Sequence, residues 1–443
     1  VQLKWQPTDD FTVDVRQNWM EIDRSFGGAN GGGLVVLNEA GRNQRDTNLI
    51  PGYRFIDQDQ TNPLANDFYD PSSEIRTFTD PTTDITREAQ ANRAGLDYAD
   101  YNGFQNPIAS LSEIRALRKS LPGIDEVSRD AALAHNAILT KPAGALGDLE
   151  DLAIFMAGWQ GKAMPTVNHP RTAVFAGNHG VAALGVSAFP AEVTAQMVQN
   201  FQVGGAAVNQ LVADLDGDLM VHEMALDQPT KDFTKQPAMS DEECAQAMSY
   251  GMMAVEPGID LLMLGEMGIA NSTSAAAIYH ALYGGDAEDW TGPGTGVQGD
   301  ALTNKINVVR EGVALHRDAV GDGLDVLARL GGQEIAGIAG AILAAQMARV
   351  PVVLDGYICC AAAACLHAWA PESIDHCLAG HLSVEGAHAD VLTRLGKKPI
   401  LQLGMRLGEG SGATLAAQMV RSACNLHRGM STFEDAGVSE SVH

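Results

Sequence analysis

The sequence predicts an α/β fold, a parallel β-sheet flanked by helices, and three observations carry this prediction. After residue 108, short apolar runs rich in β-branched residues alternate with longer stretches of helical periodicity. Glycine-containing loops follow several predicted strands, which is where open α/β sheets bind ligands. The chain of 443 residues is long enough for one large core and a smaller domain.

The predicted elements follow one another in the order that parallel strands with crossover helices require. The predicted strands are 172–176, 219–223, 261–264 and 350–354. Residues 110–160 are predicted to be largely helical, and further helices are predicted at 192–211, 272–283, 301–316 and 334–349. The longest apolar stretch, 335–370, is interrupted by charged residues, which predicts buried core elements and no membrane span.

Residues 1–107 differ in composition from the rest of the chain. They are rich in Asp, Asn, Gln, Thr and Gly and contain the run Gly-Gly-Ala-Asn-Gly-Gly-Gly at 27–33. No helical apolar period persists there, which predicts an irregular or partly disordered extension. Because nearly half of the aromatic side chains lie in this segment, we expect patches of it to dock on the core or on a partner.

The chain carries a formal net charge of −26 at pH 7. A polyanion repels nucleic acids and anionic membrane surfaces, so we expect neither as a partner. No stretch has the pattern of a signal peptide or a membrane span, so the cytoplasm is the expected compartment. The six cysteines form no CxxC pair, and His376, His381 and His388 lack the ligand spacing of a zinc site. We therefore expect reduced thiols and no metal.

The most informative motif is the segment 404–413, Gly-Met-Arg-Leu-Gly-Glu-Gly-Ser-Gly-Ala, which runs into an amphipathic helix. It places one carboxylate, Glu409, between glycines that let a ligand approach the backbone closely. Ser411 is the expected N-cap of the helix, whose free N–H groups favour an anion. A carboxylate near Met405 and Leu407 is suited to a raised pKa and to general-base catalysis. The alternative is a tight turn with a solvated glutamate.

Three further glycine-containing loops are candidate ligand sites. The loop 265–274 follows a predicted strand and brings hydroxyl and amide side chains to a helix start, which suits a phosphate. The loop 292–296 precedes a helix with Lys305, a point charge for a phosphate. The third combines Asp355 at a strand end with Ser383. Taken singly, each loop is also explained by ordinary turn chemistry, and Lys305 by a solvated helix face.

The same loops argue against two nucleotide-binding classes. None matches GxxxxGK[ST], the pattern of P-loop ATPases. None is a GxGxxG after the first strand, as a nicotinamide-dinucleotide oxidoreductase would carry. Gln196 and Met197, in the helix after Pro190, are candidates for lining an apolar pocket. Their alternatives are a solvated face for the glutamine and core packing for the methionine.

Seven stretches together resemble the nicotinate-nucleotide:dimethylbenzimidazole phosphoribosyltransferase family, whose members act in cobalamin lower-ligand assembly. The resemblance covers residues 108–440 in order and none of 1–107. The matching stretches are LTKPAGALGDLE (139–150), VFAGNHGVAALGVSAFPAEVTAQMV (174–198), LGEMGIANSTSAAAI (264–278), GPGTGV (292–297), GGQEIAGIAGAIL (331–343), PVVLDGYI (351–358) and LGMRLGEGSGA (403–413). One departure is Asn178, which stands where the family usually has Asp.

The resemblance implies a Rossmann-like α/β domain with a small helical domain, working as a homodimer. It divides the chain into an unrecognised extension, 1–107, and three further parts. Residues 108–165 would form a helical part of the small domain, and residues 166–380 the catalytic α/β domain. Residues 381–440 would supply the Glu409 loop and the helices that complete the small domain.

The resemblance also implies roles for individual residues. Glu409 would be the catalytic base and Glu266 the second catalytic carboxylate. The residues implied around the nucleotide and its phosphate are Gly268, Asn271, Ser272, Gly294, Thr295, Gly296, Lys305, Asp355 and Ser383. The residues implied near the base are Gln196, Met197, Met267 and Leu407.

The implied reaction transfers phosphoribosyl from nicotinate mononucleotide to 5,6-dimethylbenzimidazole. Its products would be α-ribazole 5′-phosphate and nicotinate, formed without a metal or other cofactor. Two alternatives stay open at the level of sequence. One is transfer to a different aromatic base, and the other is a non-catalytic paralogue that only binds a nucleotide.

Overall fold

The computed structural model describes residues 4–8, 11–14, 53–57, 108 and 110–439. Most of the predicted irregular extension therefore lies outside the described residues, and its character stays a prediction. Two short strands of that segment, β1 (Lys4–Thr8) and β2 (Phe11–Asp14), pair antiparallel with each other. A third, β3 (Tyr53–Asp57), pairs antiparallel with residues 220–224 at one edge of the main sheet.

The strands that follow β3 are β4 (Pro170–Ala176), β5 (Asp218–Met224), β6 (Leu261–Met267), β7 (Val352–Leu354), β8 (Cys377–His381) and β9 (Pro399–Leu401). With β3 they form the main sheet of the described part, seven strands in the order β9-β8-β7-β6-β4-β5-β3. The six strands from β4 to β9 are mutually parallel. The predicted α/β fold with a parallel sheet is therefore confirmed.

The four predicted strands are all present, but β8 and β9 were not predicted. Strand β8 contains glycine and alanine and no β-branched residue, so its composition does not signal a strand. Strand β9 has only three residues. Because β9 lies in the main sheet, the domain boundary expected after residue 380 falls within that sheet.

The helices alternate with the strands, as a parallel sheet requires. They are α1 (Leu111–Leu117), α2 (Glu126–Ala137), α3 (Asp148–Gln160), α4 (Val193–Gln202), α5 (Ala207–Asp214), α6 (Asp241–Gly251), α7 (Asn271–Tyr283), α8 (Ala287–Trp290), α9 (Asp300–His316), α10 (Gly323–Leu330), α11 (Gln333–Met347), α12 (Tyr357–Trp369), α13 (His388–Arg394), α14 (Ser411–Gly429) and α15 (Phe433–Ala436). None of these described helices is long and apolar enough to cross a bilayer.

The single helix predicted over 192–211 is wrong, because the chain forms two helices there. Gly204 follows α4 with a φ of +78°, a left-handed conformation that ends the helix. The side chain of Asn209 then accepts a hydrogen bond from the backbone N–H of Ala206, which helps to start α5. The apolar period continues across the break, so periodicity alone does not reveal it.

The two faces of the sheet are buried by different helices. Alternate residues of β6 point to opposite faces. Leu262 and Leu264 join the large core that contains α11 and α12. Leu261 and Met263 join a second core with α3 and α14. Helix α14 is thereby packed against the sheet, and this fixes the loop that precedes it.

Helix α11 is buried from Gln333 to Gln346 and crosses α6 at glycines. A Cβ added to Gly340 would overlap the carbonyl oxygen of Met248, and one added to Gly251 would overlap the carbonyl oxygen of Gly337. The two helix backbones are therefore in direct contact, as only glycine permits.

We expect Gly340→Ala to lower the free energy of unfolding by about 1–3 kcal/mol. The overlap with the Met248 carbonyl forces the helices apart, and this outweighs a gain of roughly 1 kcal/mol in helix propensity. Urea unfolding followed by circular dichroism measures the change. The control is Gly429→Ala, a helical glycine with open space around the added methyl group. An unfolding midpoint at or above that of the unmodified chain would contradict the packing argument.

Candidate active site

Glu409 lies in the loop between β9 and α14, pressed against the carboxyl end of β6. A Cβ added to Gly265 would overlap the backbone of Gly410, so strand and loop touch main chain to main chain. Glu409 is only 6% exposed. Gly408, Glu409 and Gly410 have φ values of +84°, +64° and +77°, and Glu409 is the one residue of the three for which this conformation is costly. The alternative of a solvated glutamate in a turn is therefore wrong.

Asp355 holds this loop in place. Its Oδ1 accepts a hydrogen bond from the N–H of Ala413 at 2.8 Å, and its Oδ2 accepts one from the N–H of Gly410 at 3.3 Å. A carboxylate at a helix N-terminus is stabilised by the free N–H groups and the helix dipole. The anion at the start of α14 is therefore an internal side chain, and Asp355 is 1% exposed. Its expected contact with a nucleotide stays a prediction.

The expected N-cap role of Ser411 is wrong. Gly410 occupies the N-cap position with positive φ, and Ser411 is the first residue of the helix. The hydroxyl of Ser411 donates backwards to the carbonyl oxygen of Gly408 at 2.7 Å. This bond closes the turn around Glu409.

Glu266, near the end of β6, brings a further carboxylate to the same loop. A Cβ added to Gly408 would overlap its Oε1 atom, so the carboxylate lies directly against the Glu409 loop. The side-chain amide of Asn271 donates to Oε2 at 2.5 Å. Glu266, Asp355 and Glu409 are called the carboxylate cluster below.

Crowding and burial raise the proton affinity of the carboxylate cluster. Burial raises the pKa of Glu409 to about 7, and the charge of Asp355 acts in the same direction. Burial likewise raises the pKa of Glu266 to about 8, although the Asn271 hydrogen bond opposes the rise. Near neutral pH a substantial fraction of Glu409 is ionised while Glu266 mostly keeps its proton. A carboxylate with a pKa near 7 is suited to accept a proton from a substrate.

Lys305 forms a second polar group beside the cluster. It is 1% exposed, so the alternative of a solvated helix lysine is wrong. Its ammonium donates to Ser272 Oγ and to the carbonyl oxygen of Gly292, both at 2.9 Å. A Cβ added to Gly294 would lie 2.8 Å from Nζ, so the glycine loop packs directly on the ammonium. Burial lowers the pKa of Lys305 to about 8, against the opposite effect of the charge on Glu385.

The first turn of α7 joins these two groups. Asn271 donates to Glu266, and the next residue, Ser272, accepts a hydrogen bond from Lys305. Consecutive residues thus connect a carboxylate with raised pKa to a buried ammonium. A ligand spanning both groups would meet an anion-binding end and a proton-accepting end.

The remaining residues expected around a phosphate lie near this ammonium to different degrees. Ser383 is buried, and its hydroxyl accepts a hydrogen bond from the N–H of Glu385 at 3.3 Å. The Glu385 carboxylate in turn lies against Gly292, so the two loops meet. Thr295 and Gly296 are exposed, and Thr295 Oγ1 lies 3.2 Å from the hydroxyl of Ser187.

The residues expected near the base differ in burial, and only some of them pack together. Met197 on α4 and Met267 at the end of β6 are half-buried and pack against the same apolar cluster. Gln196 is exposed on α4, and Leu407 is 58% exposed beside the Glu409 loop. The two methionines are therefore the residues of this set that the fold brings together.

Comparisons with known proteins agree with the resemblance seen in the sequence. Residues 121–438 match the family model described as phosphoribosyltransferase. A nicotinate-nucleotide--dimethylbenzimidazole phosphoribosyltransferase of Methylocella silvestris is 56% identical over 334 residues, which are 75% of this chain and 98% of the relative. The protein of the same name from Ruegeria pomeroyi is 57% identical over 333 residues, with 75% and 98% covered. The chain belongs to this phosphoribosyltransferase family.

A solved structure of the family shares the fold. The crystal structure of CobT from Thermus thermophilus has 38% sequence identity and a TM-score of 0.67, over 71% of this chain and 100% of that one. The family resemblance deduced from the sequence is therefore confirmed. It rests on residues beyond the N-terminal extension, as the matching stretches indicated.

Sequence reasoning missed two charged or polar residues next to the carboxylate cluster, His179 and Glu334. His179 Nε2 lies 2.7 Å from Glu334 Oε1 although the residues are 155 positions apart in the chain. The available signal was an acidic residue in the first turn of α11, a long helix that is otherwise almost entirely apolar and buried. A buried glutamate there requires a partner, and periodicity does not identify it.

Asn178, the departure from the family pattern, makes a hydrogen bond of its own. Its Nδ2 donates to the carbonyl oxygen of Leu226 at 2.9 Å. An ionised aspartate could not donate this bond and would place two acceptors together. The substitution therefore fixes the loop after β4 by a neutral contact.

Proposed function

We propose that this chain transfers the phosphoribosyl group of nicotinate mononucleotide to 5,6-dimethylbenzimidazole. The products would be α-ribazole 5′-phosphate and nicotinate, in the assembly of the cobalamin lower ligand. The observation that carries the proposal is Glu409, a buried carboxylate with a pKa near 7 held between glycines, in a chain more than half identical to enzymes named for this reaction. Glu266 lies against the Glu409 loop, and Asn271 and Ser272 connect Glu266 to Lys305.

In this proposal the 5′-phosphate binds at Lys305, with Ser272 and Gly294 beside it. The two hydrogen bonds of Nζ go to a hydroxyl and a carbonyl oxygen, which leave its charge available to a phosphate. Thr295, Gly296, Ser383, Asp355, Gly268 and Asn271 complete the nucleotide surroundings. Because the phosphate does not react, its binding energy can be used to orient the ribose.

The chemistry then needs only one proton acceptor. Nicotinate leaves as a neutral-ring pyridine from a pyridinium, so its departure requires no proton. The benzimidazole attacks C1′ through one ring nitrogen and must lose the N–H proton of the other. Glu409 accepts that proton as general base. Attack opposite the leaving group converts a β-linkage into an α-linkage.

Glu266 stabilises the positive charge that develops on the ribose. In the free protein it holds a proton at neutral pH, because its pKa is about 8. Binding of the positively charged pyridinium ring favours its ionised form, which then stabilises the charge at C1′. Gln196, Met197, Met267 and Leu407 are assigned to the acceptor base.

The assembly is proposed from the same resemblance, and the compartment is the one expected from the sequence. We propose a homodimer in the cytoplasm, with the two domains divided as the family implies. Light scattering on the purified chain tests the dimer.

The decisive experiment mixes the purified chain with nicotinate mononucleotide and dimethylbenzimidazole and follows both nicotinate and the ribosylated base by chromatography. Omitting the base separates transfer from hydrolysis. Binding of both compounds without nicotinate release would favour the non-catalytic alternative. Replacing dimethylbenzimidazole with adenine or a phenol, with benzimidazole as competitor, tests for a different acceptor.

The pH profile of kcat/KM is expected to be bell-shaped, with its maximum between about pH 7 and 8. Below about pH 6 it should fall by up to about 100-fold per pH unit, because Glu409, with its raised pKa of about 7, must be ionised to accept a proton and Glu266, with its raised pKa of about 8, must be ionised to stabilise the ribose. Above about pH 8 it should fall again as Lys305, whose pKa burial lowers to about 8, loses its charge. Initial rates in constant-ionic-strength buffers measure the profile. A rate that stays constant between about pH 5 and 7 would exclude Glu409 as the base.

A further inference from the structure

Three buried polar side chains, called the buried network below, are hydrogen-bonded to one another beside the carboxylate cluster. His179 Nε2 is 2.7 Å from Glu334 Oε1, and His179 Nδ1 is 3.0 Å from Ser274 Oγ. His179 is 2% exposed, and Glu334 and Ser274 are fully buried. The three residues belong to the loop after β4, to α11 and to α7. The buried network therefore connects three elements that meet at the carboxyl edge of the sheet.

The hydrogen bonds define how the proton is shared. A neutral His179 donates Nε2–H to the Glu334 carboxylate and accepts at Nδ1 from the Ser274 hydroxyl. A protonated ring would donate at both nitrogens. Only the protonated ring would neutralise an ionised Glu334, whereas a neutral ring gives it one hydrogen bond, at Oε1. Because Ser274 is fully buried, the buried network does not present a nucleophile to a substrate.

Three glycines from three different motifs make room for the Glu334 carboxylate. A Cβ added to Gly177 would lie 2.7 Å from Oε2, and one added to Gly268 would lie 3.3 Å from Oε1. A Cβ added to Gly332 would overlap Oε2. Oε2 itself is buried and has no hydrogen-bond partner among the described residues. A buried carboxylate oxygen without a hydrogen-bond partner costs folding free energy, and three glycines enclose this carboxylate closely. This cost points to a role for Glu334 beyond packing.

The buried network is connected to Glu266 through the first turn of α7. Ser274 lies three residues after Asn271, so both belong to that turn. Asn271 is the residue that donates to Glu266 Oε2. A bond that fixes Ser274 therefore also fixes the rotation of the turn and the direction of the Asn271 amide. Gly268 links the same loop directly to Glu334.

We propose that His179 and Glu334 are positioning residues for the transfer reaction, which hold the first turn of α7 so that Asn271 keeps the Glu266 carboxylate against the Glu409 loop. The inference rests on the proposed function for its kinetic test. Its structural content, that the pair controls Glu266, stands apart from any activity.

The kinetic test compares Glu334→Gln and His179→Gln with the unmodified chain. We expect kcat to fall by about 10- to 100-fold in each, with KM for nicotinate mononucleotide changed less than about threefold, because Lys305 keeps its hydrogen bond to the carbonyl oxygen of Gly292, which lies outside that turn. The control is His376→Gln, a buried histidine at the amino end of β8, away from the site, which should retain kcat. Losses confined to KM would overturn the proposal.

A double-substitution cycle separates positioning from general loosening of the fold. If the pair acts through Glu266, adding His179→Gln to Glu266→Gln should lower kcat by less than about twofold. A merely structural role would lower kcat by the same factor in both backgrounds, and that result would refute the proposal. If Glu334→Gln does not fold, Ser274→Ala, which removes one hydroxyl, takes its place with an expected loss of about threefold to tenfold.

A readout independent of turnover is the titration of Glu266, followed by carboxyl infrared difference spectra and assigned with Glu266→Gln. The groups that face Glu266 are Asn271 from α7, Glu334 from α11, Asp355 after β7 and Glu409 before α14. If the pair holds the Asn271 amide on Glu266, His179→Gln should release that amide and raise the pKa of Glu266, because the Asn271 hydrogen bond lowers it. A Glu266 titration that is unchanged in His179→Gln would overturn the inference, whereas absence of nicotinate release by the unmodified chain would overturn only the proposed function.

Discussion

Glu409→Gln is expected to reduce kcat by about 10²- to 10⁴-fold while nicotinate mononucleotide still binds. Glutamine has the same shape and can keep the turn that Ser411 closes against Gly408. Its amide cannot accept the proton that the benzimidazole nitrogen must lose. Nicotinate release measures kcat, and titration calorimetry measures binding. Turnover within about threefold of the unmodified chain would show that another group is the base.

The stability of Glu409→Gln distinguishes a loss of catalysis from a loss of folding. The pKa of Glu409 in the folded protein, about 7, lies above its ordinary value of 4.5. The folded state therefore binds the proton more tightly, and its stability falls as pH rises from about 4.5 to 7. Glutamine avoids this loss, so at about pH 8 Glu409→Gln should be more stable by up to roughly 3 kcal/mol. Glu372→Gln, which removes a surface ion pair with Arg118, is the control and should leave activity unchanged and lower stability by no more than about 1 kcal/mol.

Lys305→Met is expected to lower kcat/KM for nicotinate mononucleotide by about 10²-fold. A charge-assisted hydrogen bond to phosphate contributes about 1.5–3 kcal/mol, and methionine fills the same buried space without the charge. The burial of Nζ against Gly294 favours the upper part of that range. Initial rates at varied nucleotide concentration measure the loss.

The control for Lys305 is a substrate that lacks the phosphate. With nicotinate riboside, which has no 5′-phosphate, Lys305→Met should leave kcat/KM within about threefold of the unmodified chain. An equal loss with both substrates would mean that Lys305 serves only to hold Ser272 and Gly292, to which its ammonium donates.

The fold followed from the sequence because strand and helix patterns alternate strongly after residue 108. The structure places Glu409 and Glu266 together, and Asn271 and Ser272 in the first turn of α7 connect Glu266 to Lys305. That these residues carry the reaction stays a prediction. Glu409 and Glu266 lie at the carboxyl ends of strands, where parallel sheets gather side chains from distant parts of the chain, and Lys305 lies on helix α9.

What the sequence could not supply was the set of partners that tertiary packing provides. Ser411 has the residue type of an N-cap, but Asp355 reaches the helix N–H groups from another strand end, and Gly410 takes the N-cap position. His179 and Glu334 pair across 155 residues, and no local pattern encodes that contact. Local rules describe what a segment favours alone, and long-range hydrogen bonds decide among the options.

The left-handed backbone at Glu409 limits which residues suit this position. A side chain in that conformation costs about 1–2 kcal/mol that glycine would not. Exchanging Glu409 for glycine would therefore relieve the backbone while removing the carboxylate, so folding and the proposed chemistry make opposite demands on this position.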